Sequence, residues 1–173
     1  MYALPSSSAR FARRATSKAS PRVVLPTTWC RVRAWCRARW LRRRARTRRF
    51  FGVEPGCELI VVERVRTADG VPVMLENNAF VLADHPYLQQ LADDDLADNS
   101  IFALVAEHSG RAPLKSDPCT VEIALADAQA ASLLEVPVGE PLFYMEAYFT
   151  DEGERPLLLG RQKIVGSRYV FDI

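Results

Sequence analysis

The chain has 173 residues, 49% of them apolar and 25% charged, which suffices for one domain with a substantial core plus a tail and is too little for two ordinary domains. The net charge of +2 hides an asymmetry: residues 1–50 carry 15 Lys and Arg and no acid, whereas residues 51–173 carry 8 Lys and Arg and all 21 acids. No apolar run reaches the roughly 18 residues of a transmembrane helix, and Arg10, Arg13 and Arg14 break the apolar stretch that a secretory signal needs.

The first 50 residues read as a basic segment without a packed core. All three Trp (Trp29, Trp35, Trp40) lie here, interleaved with Arg, and the run from Arg42 to Arg49 holds six arginines. Like charges at i,i+3 and i,i+4 oppose a helix. Three readings are open: a solvated disordered tail, a nucleic-acid arm that stacks and neutralises phosphate, or sequence translated from a wrong start or out of frame. The expected domain boundary lies between residues 50 and 51.

From residue 51 the chain reads as ordinary globular sequence. Pro55-Gly56 signals a turn. Residues 59–66 are rich in β-branched residues and alternate, with Ile60, Val62, Arg64 and Arg66 on one face. Asp69-Gly70 signals a hairpin, and residues 71–80 return as the second strand. Asp84 is placed to cap a helix that has Pro86 in its first turn and Tyr87, Leu88 and Leu91 as its apolar stripe. Asp93-Asp94-Asp95 reads as a solvated loop. Asn99 or Ser100 opens the next helix, with Ile101, Leu104 and Val105 inward and Gly110 as its stop. Residues 120–125 form a strand. Asp127 starts a short helix with Ala128, Ala131 and Leu134 on one side. Residues 142–150 and 157–165 form a hairpin around Asp151-Glu152-Gly153, and residues 169–171 add a last strand. Strand pairs with inserted helices argue for an α+β fold whose sheet is mostly antiparallel.

Chemistry-bearing motifs are sparse. The four cysteines form no CxxC pair, and neither His85 nor His108 stands at finger spacing from them, so no metal or cofactor is expected and the reducing cytoplasm is the expected location. The two histidines read as surface or capping residues. Phosphate loops and nucleophile elbows are absent. What stands out is a pair of arginines two residues apart on a strand, Arg64 and Arg66, with Glu76 on the returning strand. Two forks on one face suit a phosphate or carboxylate; a structural salt bridge is the competing reading. Ser100 either caps its helix or adds to an anion site at the helix N-terminus. The hairpin register decides whether these groups meet. A plain two-residue loop turns Glu76 away from both arginines, whereas an odd-length loop or a bulge places Arg64 opposite Glu76 and Arg66 opposite Met74.

Residues 59–173 resemble the UTRA domain, the UbiC transcription regulator-associated domain of GntR-type regulators in the HutC subfamily. The likeness rests on VERVRTADGVPVMLE at 62–76, NSIFAL at 99–104, the A-x-x-L-x-V-P-x-G-x-P-L run at 131–142, FTDEGERP at 149–156 and GSRYVF at 166–171. It implies a chorismate-lyase-like α+β fold, a homodimer, and a pocket for a small effector. By the same resemblance Arg64 and Arg66 hold the effector's anionic group, Glu76 meets its polar groups, and Ser100 lies near the same anion. Phe102 stands where the family has Tyr, and the acid and hydroxyl of amino-sugar binders are missing from the last hairpin, so a less polar anion is as good an expectation as a sugar phosphate. Nothing in residues 1–50 reads as the winged-helix head that precedes this domain; operator DNA is an expected partner only where such a head stands upstream. The expected function is therefore that of the small-molecule-sensing, non-enzymatic part of a transcription regulator, for example a repressor. The alternatives are a chorismate-lyase-like enzyme and a protein that binds nucleic acid through its Arg-rich tail.

Overall fold

The hairpin at Asp69-Gly70 sets the frame of the sheet. Both turn residues have positive φ (50° and 81°), as a two-residue type I′ loop requires, and Ala68 pairs with Val71 across it. Thr67 then pairs with Pro72 but Arg66 with Met74, which leaves Val73 as a bulged extra residue. The bulge reverses the parity that a plain two-residue loop would impose. Arg64 consequently stands opposite Glu76, on the face shared with Arg66 and Met74.

The computed structural model describes residues 34–36, 45–91, 96 and 99–169. Its elements are β1 (Ala34–Cys36), α1 (Ala45–Phe51), β2 (Leu59–Ala68), β3 (Val71–Val81), a 3-10 turn (Pro86–Gln89), α2 (Ile101–Ser109), β4 (Leu114–Leu125), α3 (Ala128–Leu134), β5 (Pro141–Thr150), β6 (Pro156–Val165) and a 3-10 turn (Gly166–Arg168). The strands form one sheet in the order β1-β2-β3-β6-β5-β4, and every pairing is antiparallel. This is the expected α+β architecture, an antiparallel sheet with helices inserted between hairpins.

Each face of the sheet has its own cover. Ile60, Val62, Phe80 and Leu158 pack under Leu88, Leu96 and the Ile101, Leu104 and Val105 stripe of α2. On the opposite face, Val65, Leu75, Leu142 and Val165 meet Ala130, Ala131 and Leu134 of α3. Beside them, Ala79, Tyr148 and Leu159 meet Phe50 and Phe51 of α1. Each fully buried Leu or Phe contributes about 1.5–3 kcal/mol of transfer free energy, so both layers are needed to hold the sheet. The helix ends are set locally. Ser100 Oγ accepts the Ala103 N–H, Asp127 Oδ1 accepts the Ala130 N–H at 2.7 Å, and Gly110 closes α2 in the left-handed region.

Several expectations are corrected. The boundary between residues 50 and 51 falls inside α1. Thr47, Phe50 and Phe51 form an i,i+3,i+4 stripe toward the sheet, while Arg46 and Arg49 point to solvent. Charge repulsion does not prevent this helix, because its apolar stripe has a sheet to pack on and Arg46 approaches Glu146 at 3.7 Å. Upstream, Ala34–Cys36 pairs with β2. Asp84 caps nothing: a 3-10 turn replaces the helix, with His85 at its start and no side-chain cap. His85 is buried rather than exposed, against the ring of Phe80. In α3 the inward residues are Ala130, Ala131 and Leu134, and Ala128 is exposed. The strand expected at 120–125 begins earlier, at Leu114. After β6 the chain makes a 3-10 turn, and Tyr169 is not in a strand. The Asp93-Asp94-Asp95 run, residues 170–171 and most of the basic segment lie outside the described residues.

Candidate functional site

The middle of the face under α2 is polar, although apolar residues surround it. Arg64 lies at its centre and is 2% exposed. Its Nε and Nη2 both donate to Oε2 of Glu76, at 3.0 and 2.6 Å. Its Nη1 donates to the carbonyls of Leu96 and Asn99, at 3.1 and 2.9 Å. Four of the five guanidinium N–H donors are thus engaged within the protein. Arg64 ties three elements together: its own strand, β3, and the segment that leads into α2.

Arg66 is half-buried on the same face. Burial, followed by the charge of Arg64, pushes its pKa below the ordinary guanidinium value, and Glu76 pulls it partly back. It remains a cation. Ser100 is exposed, and its hydroxyl accepts the Ala103 N–H at 3.5 Å as the cap of α2. The carbonyl of the preceding Asn99 is the one that receives Arg64. The fold therefore brings Arg64, Arg66, Glu76 and Ser100 into one neighbourhood, although their roles differ. The Arg64–Glu76 pair is a structural tie, as the salt-bridge reading had it, and Arg66 beside it carries the second positive charge of the cluster.

Two residues that sequence reasoning passed over complete the floor. Asn78 stands opposite Val62 on one side and Gly160 on the other. Gln162, half-buried, stands opposite Glu76. An Asn at the centre of an apolar strand was a visible signal, since Val, Ile or Leu is the usual occupant there. Among the described residues no group of three or more His, Cys, Asp or Glu could hold a metal ion, and no helix is long and apolar enough to cross a membrane.

The reverse face holds a second ionic cluster. Arg161 Nε donates to Glu146 Oε2 at 2.8 Å, Arg161 Nη2 to Thr47 Oγ1 at 2.8 Å, and Tyr148 Oη to Glu146 Oε1 at 2.7 Å. Burial alone would raise the Glu146 pKa, but the bonds from Tyr148 and Arg161 outweigh it and hold the carboxylate below its ordinary value. This cluster fastens α1 to β5 and β6.

The sequence model of the UTRA domain matches residues 34–170, and the chain belongs to that family. It is 28% identical over 120 residues to the HTH-type transcriptional repressor PhnF of Mycolicibacterium smegmatis, covering 69% of this chain and 47% of that protein. The chain thus spans about half the length of the curated relative it matches. Among solved structures it is similar to the effector domain of PhnF from Mycobacterium smegmatis, with a TM-score of 0.64 at 24% identity, covering 83% of this chain and 82% of that one. It is also similar to a GntR-family transcriptional regulator from Enterococcus faecalis, with a TM-score of 0.64 at 19% identity, covering 84% of this chain and 99% of that one. The reading as an effector domain of the GntR-type regulators thus stands over the lyase and nucleic-acid alternatives.

Proposed function

We propose that this domain senses a small anionic metabolite at the face under α2 and so controls a DNA-binding head of the HutC type. The observation that carries the reading is the placing of Arg66 beside the Arg64–Glu76 tie, next to the start of α2. Arg64 is fixed by Glu76 and two carbonyls, so its charge acts as a rigid background. Arg66 supplies the fork for a phosphate or carboxylate, and Glu76 accepts from a hydroxyl or amine of the same ligand. The Arg64–Asn99 bond links the site to α2, so a ligand that shifts α2 changes the balance of two domain arrangements.

Thermal-shift screening of phosphorylated and carboxylated metabolites tests this. A charge-assisted hydrogen bond is worth roughly 1.5–3 kcal/mol, so Arg66→Ala should weaken binding about 10- to 150-fold. Unchanged affinity in that variant would remove Arg66 from the site. We assign the domain no catalytic role; pyruvate release on incubation with chorismate would contradict that. The cytoplasm and, where a winged-helix head stands upstream, operator DNA follow from the same reading.

The edge of the sheet supports a homodimer. β4 is the last strand in the order, and its Val121, Ile123 and Leu125 share one side while 53%, 62% and 66% exposed. Two identical edges can pair antiparallel about a twofold axis, which continues the sheet and brings the two stripes side by side. Ile123→Lys should convert a dimer to a monomer in light scattering; a wild-type monomer at high concentration would overturn the assignment.

A further inference from the structure

Asn78 occupies a place in which the fold has no use for an amide. It lies in the centre of β3, 2% exposed, between Val62 on β2 and Gly160 on β6. Its neighbours on the same face include Val62, Phe80 and Leu158, all fully buried. Among the described residues, its Nδ2 is the buried side-chain nitrogen or oxygen with no hydrogen-bond partner. Leaving a buried donor unpaired costs stability, and replacing it with an apolar group of the same shape removes that cost. A leucine would fill the position at no such loss.

Two further observations tie the amide to the ligand face. Asn78 is two residues from Glu76, so both side chains leave β3 on the same side, about 7 Å apart along the strand. Gly160, directly opposite, has no side chain. A Cβ there would come within 3.3 Å of Asn78 Oδ1 and 3.4 Å of the Phe149 ring. Glycine at this point lets β6 pack closely against the amide and the Phe149 ring. The site thus presents, in sequence along one face, a cation at Arg66, an acceptor at Glu76 and an unused donor at Asn78.

We propose that Asn78 is a specificity-determining residue whose Nδ2 donates to an acceptor oxygen, in the first instance a carbonyl, of the bound anion. This rests on the anion site proposed above and adds the chemical class: an anionic metabolite that also carries a carbonyl oxygen. Leu96 and Ile101 pack in the same cluster as Val62 and Phe80, so a ligand reaches Asn78 only where these two side chains give way. Arg64 also holds Leu96 and Asn99 through their carbonyls.

The test uses matched probes that differ in one acceptor oxygen: hydroxyacetone phosphate against propyl phosphate, and pyruvate against propionate. Each is titrated calorimetrically into the full chain, as wild type, Asn78→Leu and Asn78→Ala. Wild type should favour the carbonyl member of a pair by roughly 2- to 12-fold, the range of a neutral hydrogen bond. Both variants should lose that preference while still binding the anion. Asn78→Leu, without ligand, should melt at a higher temperature than wild type. If the pairs bind wild type equally, or the variants keep the preference, the role of Asn78 is overturned and the anion site stands. If no probe binds wild type, the anion site falls and this proposal with it. A lower melting temperature or failure to fold in Asn78→Leu, with Asn78→Ala retaining the preference, would make Asn78 a structural residue and also overturn the proposal.

Discussion

Glu76 faces Arg64 across the β2–β3 ladder, and two nitrogens of that guanidinium donate to one and the same carboxylate oxygen, at 3.0 and 2.6 Å. Neither partner is accessible enough for water to replace the other. Removing one partner of a buried pair typically costs about 3–5 kcal/mol, because the remaining charge stays buried. Glu76→Ala should therefore lose stability of that order in urea denaturation. The double variant Arg64→Met, Glu76→Leu should recover most of it. A loss below about 1 kcal/mol in Glu76→Ala would show that Arg64 has another anchor of equal strength. It follows that substitutions at Arg64 report mainly on folding.

Thr47 is 1% exposed and accepts a hydrogen bond from Arg161 Nη2 at 2.8 Å. Thr47→Val keeps the volume but leaves that buried donor unpaired, at a cost of about 1–3 kcal/mol. The loss should be local, since α1 has seven residues and relies on packing. Limited trypsinolysis should then cut at Arg48 or Arg49 faster than in wild type, with the sheet still resistant. Equal cleavage rates would mean that Phe50 and Phe51 alone hold the helix.

Arg168 acts as a clamp. Its Nη1 donates to the carbonyls of Pro72 and Leu134, both at 2.7 Å, and its Nη2 to that of Glu135 at 3.0 Å. It thus joins the bulged hairpin to the C-terminus of α3, where carbonyls lack partners of their own. Arg168→Met should destabilise the chain by about 1–3 kcal/mol. Arg168→Lys should restore only part of this, because a point ammonium does not reproduce the fork. Full rescue by Lys would leave charge alone as the explanation.

The pH response should begin at His85. Burial pushes its pKa down, Asp84 raises it in part, and Arg111 lowers it. A base with a lowered folded pKa binds fewer protons folded than unfolded. Its contribution is therefore present above the ordinary value of 6.5 and declines as the pH falls below it. At Asp151 burial alone would raise the pKa, but the Arg155 N–H and the Arg111 and Arg155 side chains hold it well below 3.8. That contribution is present above 3.8 and is lost only in stronger acid. Melting temperature against pH should fall in two stages, and His85→Phe should flatten the first. An unchanged profile in that variant would remove His85 as the source.

Much of the frame was legible in the sequence. Period-two alternation gave β2 its faces, Asn99 or Ser100, Asp127 and Gly110 marked helix ends, and Asp69-Gly70 marked the turn. The register was legible only as two alternatives, because loop length and bulge are set jointly; the extra residue, Val73, is buried with Met74 and Ile164 rather than looped out. Charge density misled. The arginines of residues 42–49 obscured the Thr47, Phe50 and Phe51 stripe of a helix that forms only against a sheet built far downstream.

What the sequence determined by itself is thus local: which residues share a face, where helices begin and end, and that Arg64, Arg66 and Glu76 belong to one hairpin. The tertiary structure decided what those residues do. Arg64 is a structural tie because its remaining donors meet carbonyls 32 and 35 residues away. Asn78 is left with an unused donor because the strands and helix around it offer no acceptor. Both outcomes turn on whether a buried polar group finds a partner, and that partner is supplied by chain folding from afar, where no periodicity can show it.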